Sequence, residues 1–142
     1  MGLNAVVYRS FANLDLGEDR RAAKVDIETG EVYFQDEDIA RRYPAELLRA
    51  AEFRLGNVSA VAALREETEN LLRGESLICG LVLYSGSHSG DAIPTSALAS
   101  LTAEVKSVRE SGGASQELLL FLDKLEKLID NATIEKNPIV FV

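Results

Sequence analysis

Hydrophobic and polar positions recur along this chain in two rhythms, and the change from one to the other separates candidate strands from candidate helices. The first run, "LNAVVYR" from Leu3 to Arg9, is short and rich in β-branched and aromatic residues, which predicts a strand. In "AKVDIETGEVYFQ" apolar residues alternate, Val25 and Ile27 before a Thr29-Gly30 turn and Val32 and Phe34 after it, which predicts a β-hairpin. The intervening "SFANLDLGEDRR" carries Gly, Asn and several charges and reads as an exposed loop.

After Pro44 the period lengthens. "PAELLRAAEFRL" puts Leu47, Leu48, Ala51 and Leu55 on one helical face, with Gly56-Asn57 as its end. "VSAVAALREETENLLRG" follows with Val58, Val61, Leu64, Thr68, Leu71 and Leu72 at helical spacing and Gly74 just beyond. These two segments predict a tight helical hairpin. "SLICGLVLY" has no wet face at all, so it is expected as a central strand.

"TSALASLTAEVKSVRES" returns to helical spacing through Leu98, Leu101, Val105 and Val108, and Gly112-Gly113 breaks it. Ser115 can cap the next helix, "QELLLFLDKLEKLIDNA", whose stripe of Leu118, Leu122, Leu125 and Ile129 is widened by Leu119, Phe121 and Leu128. So wide a face is either deeply buried or partly an interface, and a homodimer is one expectation. The closing "NPIVFV" predicts a strand that must join the sheet or pair with another chain.

The order β-β-β-α-α-β-α-α-β argues for an α+β fold and against a doubly wound one. Residues 1–142 are expected as one domain, with a mostly antiparallel sheet of about five strands and two helical pairs. Hydrophobic residues at 46% and charged residues at 27% fit an ordered globule and exclude a disordered chain.

No segment approaches the roughly 20 apolar residues of a membrane span, and the start lacks the basic and apolar regions of a signal peptide. A cytoplasmic location is the expectation. "MGLNAV" has Val6 where a myristoylation signal needs Ser or Thr. Cys79, the one cysteine, sits among apolar neighbours and reads as a small buried hydrophobe. One cysteine and one histidine do not make a zinc set, and no metal or cofactor is expected.

Charge changes the picture more. The net charge is −8, and residues 1–38 hold nine acidic residues against four basic ones, a balance of −5. Asp15, Glu18, Asp19, Asp26, Glu28, Glu31 and the run Asp36, Glu37, Asp38 supply it. Such a surface repels nucleic acid and anionic lipid and attracts a basic protein. The run at 36–38 is therefore a candidate partner-binding patch, with a solvated face or helix-leading charge as the plain alternative.

The remaining chemistry is concentrated in "LVLYSGSHSGDAIP", Leu81 to Pro94. Ser85, Ser87, Ser89, His88 and Asp91 have the residue types of a Ser-His-Asp triad, but a triad needs nucleophile, base and carboxylate aligned, normally from separate segments. The G-x-S-x-G elbow is absent, since Gly86 and Gly90 frame His88. A phosphate cradle before a helix is conceivable, yet the Walker lysine is missing and Asp91 brings the wrong charge. A structural turn remains, with glycines taking special backbone angles, serines satisfying loop amides and Asp91 capping N-H groups. So does a partner-contacting loop built on Tyr84, Ser87, His88 and Asp91.

The opening "MGLNAVVYRS", the hairpin "VDIETGEVYF", the loop "LYSGSHSGDAIP" and the closing "NPIVFV" together resemble the immunity proteins of bacterial polymorphic toxin systems, particularly the immunity protein seventy family. The resemblance spans the whole length and implies a non-catalytic inhibitor. It would bind a cognate toxin, of which a nuclease is one kind, through its acidic surface and without nucleic acid or membrane as partner. Asp91 corresponds to an aspartate of that family. Two other classes stand beside it: a homo-oligomeric or small-ligand-binding module, and a small hydrolase using His88 and Asp91.

Overall fold

Within "LNAVVYR" the side chains of Leu3, Ala5 and Val7 turn to one side and those of Val6 and Tyr8 to the other, and all five are buried. A strand buried on both faces needs neighbours on both edges to satisfy its backbone. The computed structural model, which describes residues 2–142, supplies them. In chain order its elements are β1 (Gly2–Tyr8), β2 (Ala23–Val25), β3 (Val32–Phe34), α1 (Glu37–Ala40), α2 (Ala45–Leu48), β4 (Arg49–Asn57), α3 (Val58–Leu72), α4 (Leu77–Leu81), β5 (Ala92–Ile93), α5 (Leu98–Glu110), α6 (Gln116–Glu135) and β6 (Ile139–Phe141).

The fold is α+β. One sheet runs in the order β4-β1-β6-β5, antiparallel throughout, and β2 and β3 form a separate two-stranded hairpin. The expected sheet of about five strands is thus four strands plus a hairpin outside it. The closing "IVF" does join the sheet, between β1 and β5, with Val6 opposite Val140 and Ala5 opposite Phe141. Helices α3, α5 and α6 cover the face that carries Leu3, Ala5, Val7, Ile139 and Phe141, and their apolar stripes complete the main core. The helices expected at 58–72, 98–110 and from 116 onward are present.

Two expectations fail, for related reasons. The segment after Pro44 is helical only through Leu48, and residues 49–57 form β4 along the full length of β1. Leu47, Leu48, Ala51 and Leu55 fit a helical period, but Ala51, Phe53 and Leu55 also alternate with Glu52 and Arg54. Pairing with β1 selects the second pattern. Asn57 then ends the strand and caps α3, its Oδ1 accepting from the Ala60 N–H at 2.8 Å, so there is no helical hairpin.

"SLICGLVLY" is not a central strand. It forms α4 and a tight turn, with Ile78, Val82 and Leu83 buried in the main core. Ser76 caps α4 by accepting from the Cys79 N–H at 3.0 Å. Glu104 of α5 accepts from the N–H groups of Leu77 and Ile78, at 2.7 and 2.9 Å. A long-range carboxylate thus takes up backbone donors that a helix this short leaves open.

The segment 10–48 builds a smaller core of Leu14, Leu16, Val32 and Phe34, in which Phe34 stacks on Tyr43 at 4.9 Å. The expected exposed loop therefore buries two of its leucines. This unit is tied to the sheet and to α6. Glu135, buried, accepts from the Ser10 N–H at 2.9 Å and from Asn13 Nδ2 at 3.2 Å, and Asn137 Nδ2 donates to Tyr8 O at 2.8 Å. Gly30, at φ 78°, lies against the Asn137 side chain where a Cβ has no room. Among the described residues no helix is long and apolar enough to cross a membrane.

Candidate functional site

The loop from Tyr84 to Asp91 links the turn after α4 to β5 and lies along the end of β6. Gly90, at φ 99°, donates its N–H to Phe141 O at 2.8 Å, and the Phe141 N–H donates to Asp91 O at 2.9 Å. At the other end Gly86 sits under Val58, where an added Cβ would be 2.8 Å from the Val58 Cα. The two glycines of the loop therefore each have a structural reason.

His88 is in the interior, only 8% exposed. Its ring stacks on Tyr84 at 4.1 Å and meets Phe141 edge-on at 4.2 Å. Its Nε2 lies 2.8 Å from Val82 O. A carbonyl only accepts, so Nε2 is the ring nitrogen that donates to it, and Nδ1 is the other. That Nδ1 has no hydrogen-bond partner among the described residues, and the nearest carboxylate oxygen, Asp91 Oδ2, is 3.8 Å away.

The Asp91 side chain accepts from the Tyr84 hydroxyl instead of capping loop N–H groups. Burial and the facing Asp91 carboxylate push the Tyr84 phenol up to about 12. Ser85 and Ser87 bond to one another, Ser85 Oγ accepting from the Ser87 N–H at 3.2 Å. Neither is within hydrogen-bond distance of His88. Ser85, His88 and Asp91 are thus spent on holding the loop in place, and among the described residues no serine hydroxyl of the loop is hydrogen-bonded to the His88 ring. Ser87 and Tyr84 are exposed and His88 lies beneath them.

The second candidate patch lies on a different element. Asp36 is the N-cap of α1, its Oδ1 accepting from Asp38 N at 2.8 Å and Ile39 N at 3.3 Å. Glu37 and Asp38 point outward, 89% and 85% exposed, and share one cation: Arg41 is 3.9 Å from Glu37 and 3.4 Å from Asp38. The acidic run is therefore half structural and half free surface. Cys79 is buried, burial pushes its thiol above the ordinary value, and its Sγ lies 3.7 Å from Arg65 O.

Two features escaped the sequence pattern. Phe141 closes the His88 pocket from the far end of the chain, and only the pairing of β6 brings it there. Ile27, assigned to the alternating inward positions of the hairpin, is instead 96% exposed in the turn that follows β2. The local signal was Asp26, a turn-forming residue before which the strand ends, at Val25.

Fold and site together define a small acidic α+β protein whose polar loop is built for packing and whose Glu37 and Asp38 face outward. In comparisons with models of protein families, with curated proteins and with solved structures, none matched this chain.

Proposed function

We propose that this chain is a non-catalytic immunity protein, which binds a cognate bacterial toxin domain and neutralises it through its acidic surface. The observation that carries the reading is the outward acidic patch on α1, where Glu37 and Asp38 share a single weak cation partner. Carboxylates held this loosely keep most of their field available, and a field of one sign speeds capture of a basic partner. A nuclease, whose active site is shaped for phosphate, is a partner of that kind. The resemblance of the hairpin, the loop and the closing strand to the immunity protein seventy family supports the same reading.

The test is co-expression with the C-terminal domain of the protein encoded directly upstream. Rescue of growth and direct binding are expected, and failure of both overturns the proposal. Glu37→Lys with Asp38→Lys is the informative charge reversal, because Asp36 also caps α1 and its loss would disturb the fold.

A further inference from the structure

The turn between β2 and β3 presents an isoleucine to solvent on a rigid support. Ile27 is 96% exposed and Val25 beside it 42%, so the fold leaves the apolar burial of Ile27 almost wholly unrealised. The turn that holds it is fully bonded. Asp26 Oδ1 accepts from Glu28 N at 2.8 Å and Thr29 N at 3.3 Å, Gly30 N donates to Asp26 O at 2.7 Å, and Asp26 N to Glu31 O at 2.9 Å. Gly30 in turn rests against Asn137, which is bonded to Tyr8 in the central strand. Behind the turn is a cleft of about 410 Å³, walled by Val25 and Ile27 on one side and by Ala92, Pro94 and Pro138 on the other. Its charged lining is two carboxylates, Asp26 and Glu28, against one cation, Lys136, and Glu31 ends the same turn, near enough to Tyr8 and Arg49 to act on both. Neither Glu28 nor Glu31 is in an ion pair among the described residues, whose ion pairs lie elsewhere.

We infer that this tip and cleft are the anchoring part of the docking surface, and that they take a protein segment presenting an apolar side chain flanked by Lys or Arg. The inference rests on the immunity reading and locates the contact within it. A partner fills the cleft with its apolar residue, covers Ile27, and places its cations on Glu28 and Glu31. Because the turn is already ordered, little conformational entropy is lost when Ile27 is covered, which is what makes a single exposed aliphatic an effective anchor. The carboxylates around it reject acidic surfaces and speed the approach of basic ones.

The probe is the purified C-terminal domain of the protein encoded upstream, titrated calorimetrically into the wild type, Ile27→Asp, Glu28→Lys with Glu31→Lys, and Glu37→Lys with Asp38→Lys. Ile27→Asp is expected to weaken binding about tenfold or more, with an unchanged thermal unfolding curve, and hydrogen exchange at residues 25–31 is expected to slow in the complex. The reversal at Glu28 and Glu31 is expected to slow association and flatten its salt dependence. If the wild type binds and both tip variants bind within about twofold of it, this inference is overturned while the immunity reading stands. If the wild type does not bind, both fall. If the free protein is a dimer by sedimentation and Ile27→Asp makes it a monomer, the occupant is a second copy and the inference is overturned.

Discussion

The imidazole of His88 stacks on the ring of Tyr84 at 4.1 Å, and the Tyr84 hydroxyl donates to the carboxylate of Asp91 seven residues further on. Two of the residues that make the loop look catalytic, His88 and Asp91, are therefore held with Tyr84 in one packed unit, closed from the side by Phe141.

His88→Ala is expected to act on stability. It removes a buried ring from between two aromatics and leaves Val82 O without its donor, a loss of about 2–4 kcal/mol by urea denaturation. His88→Gln keeps a donor and loses the stack, and should fall between the two. A change under about 0.5 kcal/mol for His88→Ala, the range of ordinary surface substitutions, would contradict the buried geometry.

Alkaline pH should loosen the same unit. The Tyr84 phenol is held at about 12 against an ordinary 10.0, so the folded state favours its neutral form. That contribution is fully present below pH 10 and is lost as pH rises through about 12. Titration of Tyr Cζ shifts by NMR checks it, and Asp91→Asn is expected to bring the Tyr84 midpoint down. An unchanged midpoint in that variant would show that the carboxylate has no part in it.

Glu135 fastens the 10–48 unit to α6 with neutral donors only, Ser10 N–H and Asn13 Nδ2. Glu135→Ala orphans the Ser10 N–H and should cost about 1–3 kcal/mol, while Glu135→Gln keeps an acceptor and should cost less. Hydrogen exchange at Ser10 is expected to quicken in the first variant and not in the second.

Glu104 holds the start of α4 across the gap from α5. Glu104→Ala is expected to cost about 1–3 kcal/mol and to raise amide exchange at Leu77 and Ile78 before the rest of the chain opens. Uniform exchange across the main core would indicate that α4 has no such dependence.

The helices 58–72, 98–110 and 116–135 were legible because each carries an apolar stripe with a period that only a helix presents to one side, and two of the three also carry a side-chain cap, Asn57 and Ser115. The hairpin was legible from alternation around Thr29-Gly30, although its first strand ends at Val25, two residues earlier than the alternation suggested, and its turn carries Ile27 outward. The loop's glycines were legible as backbone devices, but not the burial of His88, since Phe141, which closes its pocket, comes from the far end of the chain.

Residues 49–57 and 77–81 mark where sequence alone stops. Ala51 and Leu55 fit a helical face with Leu47 and Leu48 and a strand face with Phe53, and the choice fell to the open edge of β1. "LICGL" is apolar in every direction, and its short helix is held by Glu104 from a segment more than twenty residues away. What the sequence by itself determined is local and periodic: the three long helices, the presence of the hairpin, and that the first 38 residues are strongly acidic. What only the tertiary structure decided is every choice that depends on a distant backbone edge or a distant side chain, because an unpaired N–H or carbonyl is satisfied wherever the fold brings a partner, and that place is not written in the neighbouring residues.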